Sequence, residues 1–217
     1  MSAAALADET ALGNLSLRNE PVQARSAARL AGLLDAAAAV IDELGYERLT
    51  TAMVAERAGA SIGTVYRYFP DRIAVLQALG ARNLDRVLSK ITEEIAKPVH
   101  STWLEAMTGS FAILEDAFRS EPGFRSLRVG DVIDLRPAPV EKTYNSVVAE
   151  VILESLAQRF ELTIDDAARF DFEAAIEISD ALAARAFSRD ANGDVRFLDA
   201  ARASVASLLV GRFGSPA

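Results

Sequence analysis

Between Thr50 and Arg72 the sequence gathers side chains suited to holding a polyanion. Thr51, Ser61, Thr64, Tyr66 and Tyr68 offer hydroxyls, which bond phosphate oxygens, and Arg67 and Arg72 offer guanidinium groups. Gly63 removes side-chain bulk where a backbone could approach base edges, and Ile62 stands beside it as an apolar group. Other chemistries are poorly supplied. There is no cysteine, which excludes disulfides, thiolate zinc sites and cysteine nucleophiles. The single histidine, His100, excludes multi-histidine metal sites, and any Ser-His-Asp hydrolase would have to run through it. It follows Pro98 in a connection and reads as a surface or helix-capping residue. No P-loop, dinucleotide-binding glycine pattern, HExxH or GxSxG occurs, so no enzyme activity, cofactor or metal is expected. Asp190 to Asp194 hints at a calcium loop, but the acidic residue needed at its end is missing, and a turn is the better reading. Glu173, Glu177 and Asp180 read as a solvated acidic face.

The elements that must position the polar set are short helices. Val54, Ala55 and Ala58 face inward on one, with Thr50 or Thr51 as its cap and its end near Ala58. Gly59 breaks the chain, Ser61 caps the next helix, and Val65 and Phe69 face inward on it, one turn apart. Two helices of about two turns joined by a glycine-containing turn make a helix-turn-helix. The preceding helix runs from about Ser26 to Leu44 on a stripe of Leu30, Leu33, Leu34, Ala37, Val40, Ile41 and Leu44, and Gly45 ends it. Further helices are expected at about 72–96, 102–119, 140–160, 165–187 and 195–213, with a short segment from Pro122-Gly123 through Val129 and a loop over 130–139.

Composition agrees with a folded all-α chain of 217 residues, 51% hydrophobic and 25% charged. No stretch approaches the roughly 18 apolar residues of a membrane span. Residues 1–21 lack the apolar core of a signal peptide and read as a mobile leader. With the absence of cysteine this fits a reducing, cytoplasmic setting. The net charge of −8 argues on its own against nucleic acid. The charge is uneven, however: residues 22–72 carry six bases and six acids and are neutral, while residues 73–217 are acidic.

The run from Gly59 to Arg72, with its turn glycine, Ser-x-Gly-Thr, Tyr-x-Tyr-Phe and following basic residue, resembles the TetR family of bacterial regulators. The resemblance covers about residues 24–76 and includes the Gly45-Tyr46 break before Leu49-Thr50-Thr51. It implies a homodimer, an N-terminal three-helix domain that binds operator DNA through its third helix, and a helical C-terminal domain that dimerises and holds a small molecule. By position it implies that Ile62, Gly63 and Thr64 lie against base edges, that Thr51, Ser61, Tyr66, Tyr68 and Arg72 hold phosphates, and that Arg67 does either. Two positions depart from the common pattern. Ile62 replaces a polar or basic residue, which means either a thymine-methyl contact or weaker direct readout. Arg72 replaces lysine and keeps the phosphate contact. Arg18, Arg25 and Arg29 could add phosphate contacts.

In the remainder, Trp103, Met107, Phe111, Leu114 and Phe118 repeat at helical spacing, and such a stripe either closes a core or lines a pocket. Phe124, Leu127, Tyr144, Val148, Phe172 and Ile176 are further pocket candidates, with Tyr144 and Asn145 as polar partners. The last two helices carry broad apolar faces with small residues. Ser179, Leu182, Ala183 and Ala186, then Val205, Leu208 and Leu209, are the expected interface of a dimer, or else they close one subunit's core. The expectation is therefore a leader (1–21), a helix-turn-helix domain (22–71) and a ligand-binding and dimerisation domain (72–217). Together they make a regulator, most simply a repressor, released from a pseudo-palindromic operator by an apolar small molecule. The alternative is a helical oligomeric interaction module that has lost DNA reading.

Overall fold

The computed structural model describes residues 20–129 and 143–215. The leader up to residue 19, Arg18 within it, and the 130–142 stretch containing the expected loop lie outside the described residues. The described residues form nine α-helices and one 3-10 turn, with no strand. In order they are α1 (Glu20–Leu44), the 3-10 turn (Tyr46–Arg48), α2 (Thr51–Arg57), α3 (Ile62–Tyr68), α4 (Arg72–Ala96), α5 (Trp103–Ser120), α6 (Phe124–Val129), α7 (Tyr144–Phe160), α8 (Asp166–Phe187) and α9 (Val195–Phe213). Helix α1 starts at Glu20 rather than near Ser26; a proline such as Pro21 is tolerated in a first turn, where its missing N–H costs no bond. None of the described helices is long and apolar enough to cross a membrane.

The chain divides into two compact units. Among the described residues, the first holds those up to Asp85 together with 122–129, and the second holds Arg86–Glu121 and 143–215. The expected boundary at residue 71 is thus displaced into α4. The cause is packing: Val75, Leu76 and Leu79 of α4 and Leu127 of α6 share one core with Leu33, Ala37 and Ile41 of α1, Leu49, Val54 of α2, and Val65 and Phe69. The turn before α6 is tied into this unit. The Asp42 carboxylate accepts from the Gly123 N–H at 2.9 Å, and Asn83 donates to the Pro122 carbonyl at 3.2 Å. Gly123 has φ +75°, and a Cβ there would come within 3.2 Å of Leu79.

In the second unit α8 packs on α7 and α9, and α5 packs on α7 and α9. Side-chain caps mark its helix starts: Thr102 and Glu105 form a capping box on α5, Thr143 caps α7, Asp165 caps α8 and Asp194 caps α9. The Asp190–Asp194 segment is the turn expected between the last two helices, with Gly193 at φ +83°. Phe118 and Phe187 stack at 4.7 Å, and Trp103 meets Phe213 edge-on at 5.9 Å. Buried Glu115 accepts from Arg119 at 3.1 Å and from Arg202 of α9. His100 is half-buried, its Nε2 2.8 Å from Glu94 Oε1. Hydrogen bonds from Lys97 and then His100 hold the Glu94 carboxyl below the usual carboxylate range.

Candidate nucleic-acid interface

Helix α2 ends in a Schellman turn. The Gly59 N–H donates to the Glu56 carbonyl at 3.1 Å and the Ala60 N–H to the Ala55 carbonyl at 2.9 Å, with Gly59 at φ +58°. A side chain at Gly59 would meet nothing within 4 Å, so it is the positive φ, not space, that asks for glycine. The turn delivers Ser61 as the cap of α3. Its Oγ accepts from the Thr64 N–H at 3.1 Å and lies 2.9 Å from Thr64 Oγ1. At the other helix, Thr50 rather than Thr51 is the cap, accepting from the Met53 N–H at 3.2 Å. This leaves the Thr51 hydroxyl out of the cap.

Val65 is fully buried and Phe69 nearly so, which fixes the roll of α3. Gly63, Tyr66 and Arg67 are consequently exposed; Ser61 and Ile62, at the start of the helix, are exposed as well, and Thr64 and Tyr68 are half-buried. Tyr66 is 54% exposed and Ile62 41%, large values for apolar and aromatic side chains in so small a unit. The hydroxyls expected to hold phosphate come together across the motif. Thr51 Oγ1 donates to the Tyr66 hydroxyl at 3.3 Å, although the two are 15 residues apart. The Tyr68 hydroxyl lies 3.1 Å from Ser26 Oγ, which brings α1 to the end of α3. Ser26 was not expected at the site: nothing in the α1 sequence sets it apart, and only the tertiary contact does. Arg25 and Arg29, either side of Ser26 on α1, are exposed.

Arg72 and Arg57 have partners within the unit. Arg72 Nη1 donates to the Glu47 carbonyl at 2.9 Å, leaving the rest of its donor fork available. Arg57 pairs with Glu43 at 2.6 Å, and this hydrogen bond holds the Glu43 carboxyl below its usual range. The Arg67 guanidinium lies over the Tyr68 ring at 5.8 Å.

The other candidate sets fare differently. Trp103, Met107, Phe111, Phe172 and Ile176 are buried in the second unit, with Tyr144 and Val148 half-buried there, while Phe124 is buried in the first. Two clefts formed by described residues of the second unit have other linings. One is lined by Thr143, Ser146, Glu150, Arg169 and Glu173 among others, and one by Thr92, Pro98, Ser155 and Arg159 among others. Of the expected interface residues, Ser179, Ala183, Ala186, Val205 and Leu209 are already buried within one chain, where α8 and α9 pack together. Only Leu182 and Leu208 keep surface. The outward side of α8 instead carries Phe170, 72% exposed, and Ile178, 37% exposed. These two lie eight residues apart, off the buried stripe, and that spacing was the available signal.

A glycine-turned helix-turn-helix in one unit and a second unit that is helical among the described residues fit the class of helix-turn-helix transcriptional regulators, which bind DNA and are not enzymes. Residues 33–79 match the bacterial regulatory proteins of the tetR family, and residues 101–213 match the tetracyclin repressor-like C-terminal domain. The chain belongs to the TetR family. It is similar to a TetR-family transcriptional regulator from Streptomyces coelicolor, with 31% identity, a TM-score of 0.71, and 85% of this chain and 99% of that one covered. It is 41% identical over 58 residues to the HTH-type transcriptional repressor KstR of Rhodococcus jostii, a match spanning 27% of each chain. The fold is shared by FadR of Thermus thermophilus, solved in complex with lauroyl-CoA, at 18% identity and a TM-score of 0.58, covering 83% of this chain and 93% of that one.

Proposed function

We propose that the chain is a repressor that binds a pseudo-palindromic operator as a homodimer and releases it on binding a small molecule. The observation that carries this reading is the outer face of α3. Ile62, Gly63, Tyr66 and Arg67 are exposed, and none of the four lies in the core of the unit. Gly63 makes the point most sharply. A Cβ there would meet only Ser61 Oγ, at 3.9 Å, and α3 would gain from alanine, so glycine serves something outside the chain. In this reading Ile62, Gly63 and Thr64 face base edges. Thr51, Ser61, Tyr66, Tyr68 and Arg72 hold phosphates, Arg67 serves either, and Arg25 and Arg29 add charge from α1.

Dimerisation falls to the outward faces of α8 and α9. Phe170 and Ile178 supply apolar area, and the exposed Ala200, Ala203, Ser204 and Ser207 allow a partner helix to come close. Leu182 and Leu208 border these faces. The effector is an apolar small molecule held in the second unit, for which Trp103, Met107, Phe111, Val148, Phe172 and Ile176 are the candidate lining and Tyr144 the polar partner. Release requires that it bind two conformers unequally.

The test is fluorescence anisotropy of the full chain on duplexes flanking its own gene, over a salt series. One duplex should bind far tighter than scrambled DNA, with a steep negative salt slope. Thr64→Ala with Tyr66→Phe should weaken that binding about tenfold or more per half-site while leaving the dimer intact. Unchanged binding would overturn the contact assignment. Phe170→Glu should shift sedimentation to the monomer. The second reading, an interaction module without DNA reading, draws on the net charge of −8 and predicts no salt-dependent preference for any duplex.

A further inference from the structure

We propose that the cleft between α7 and α8 of the second unit binds a small zwitterion, a molecule with a carboxylate and an ammonium group on one apolar body. The cleft has a volume of about 250 Å³, which is below the roughly 300–1,000 Å³ of sites for drug-sized ligands. Ala149 and Leu153 of α7, both buried, make its floor. Glu150 of α7 and Arg169 and Glu173 of α8 stand around that floor. The cleft shares no residue with the apolar lining proposed above for the effector.

The charged groups here do not satisfy one another. Arg169 and Glu173 are four residues apart on α8, a spacing at which opposite charges are neighbours, yet no ion pair joins them. Among the described residues Glu173 has no hydrogen bond or ion pair, although it is half-buried. The Arg169 guanidinium donates no hydrogen bond among them either. Its ion-pair partner Glu150 stands 3.8 Å away, beyond hydrogen-bond reach. One turn further along α8 the carboxylates are occupied, because Asn145 of α7 donates to Glu177 at 2.9 Å and to Asp180 at 3.4 Å. The Thr143 and Ser146 hydroxyls at the cleft are spent on the start of α7: Thr143 accepts from the Ser146 N–H at 3.1 Å, and Ser146 donates to the Thr143 carbonyl at 2.9 Å. The charged lining is therefore one guanidinium and two carboxylates over an apolar floor. A guanidinium takes a carboxylate through two parallel hydrogen bonds, and the three donors of an ammonium suit a pair of carboxylates. A plain cation would meet the repulsion of Arg169, and a plain anion that of both glutamates. An α-amino acid answers all three groups at once and lays an apolar side chain on Ala149 and Leu153.

The test is isothermal titration calorimetry of the full chain with valine, leucine, isoleucine, methionine and phenylalanine in turn. At least one should bind with a Kd of about 0.1–1 mM. The amide of that amino acid, which lacks the carboxylate, and its N-acetyl derivative, which lacks the ammonium, should each bind about tenfold or more weakly. Arg169→Gln and Glu173→Gln lie outside the core and should fold as wild type by circular dichroism. Each should lose about tenfold or more in affinity for the amino acid. Arg169→Gln should bind the amide no worse than wild type does, and Glu173→Gln should bind the N-acetyl derivative no worse, a pattern that damage to the fold would not give. The inference is overturned if none of the five binds at about 10 mM, if the amide and the N-acetyl derivative bind as well as the parent, or if both variants keep wild-type affinity.

Discussion

The two units of this chain use their distinctive residues in opposite ways. In the N-terminal unit the buried set (Val54, Val65, Phe69, Leu76) is ordinary, and the unusual residues are on the surface: Ile62, Gly63, Tyr66 and Arg67. In the C-terminal unit the large and aromatic residues that attract attention are inside. Trp103, Met107, Phe118, Phe172 and Phe187 are all buried, with Phe170 the exposed exception, and Ala175, Ser179, Ala183 and Ala186 of α8 are buried with them. Where a residue's type exceeds what folding asks of it, function can be read from it. Where folding already accounts for it, the same residue is silent about ligands.

Substitutions can break or sharpen that contrast. The largest effect is expected at Phe172. If it is there chiefly for packing, Phe172→Ala should cost about 3–5 kcal/mol in a urea melt. A cost below about 1 kcal/mol would show a void beside it and favour the pocket instead. Gly63→Ala is the converse case. Stability should rise by about 0.5–1 kcal/mol, because the helix gains and nothing clashes, while operator affinity should fall about tenfold or more by anisotropy. Loss of both together would place Gly63 among the structural glycines. Thr50→Ala removes the α2 cap and should cost about 1 kcal/mol, whereas Thr51→Ala should leave stability nearly unchanged and weaken DNA binding. The smallest effect concerns pH. Hydrogen bonds from the Arg196 side chain and backbone hold the Asp194 carboxyl down at about 2, from a usual 3.8. A carboxyl lowered by folding contributes stability above its unfolded value and loses it as the pH falls through its folded one. The α9 cap should therefore survive pH 4 and fail between about pH 4 and 2, and Asp194→Asn should flatten that part of an acid titration.

Much of the fold was legible because helices announce their ends. Ser61, Thr102, Asp165 and Gly59 mark caps and a turn by residue type alone, and α4 and α9 begin and end where the spacing of apolar residues and the flanking Pro70, Pro98 and Gly193 place them. The domain boundary was not legible, because α4 continues unbroken through it and only the shared burial of Leu76, Leu79 and Leu127 reveals the division. On α3 the exposure of Gly63, Tyr66 and Arg67 follows from one rotation of the helix once Val65 and Phe69 are set inward, whereas Ile62, three residues before Val65, falls on the inward side of that rotation and is nonetheless exposed. On α8 the buried stripe has two readings, dimer interface or subunit core, since apolar spacing records burial without saying whether the neighbour is α9 or a second copy. The contact of Ser26 with Tyr68 links residues far apart in sequence, and no local pattern encodes it.

The most direct test of the account is anisotropy of the wild-type chain and its Gly63→Ala variant on the duplex flanking its own gene and on a scrambled duplex, at several salt concentrations. The account predicts that wild type prefers the first duplex by about a hundredfold or more, and that the variant, folded and at least as stable, loses most of that preference. Equal binding of the two duplexes by wild type, or an unchanged preference in Gly63→Ala, would contradict it.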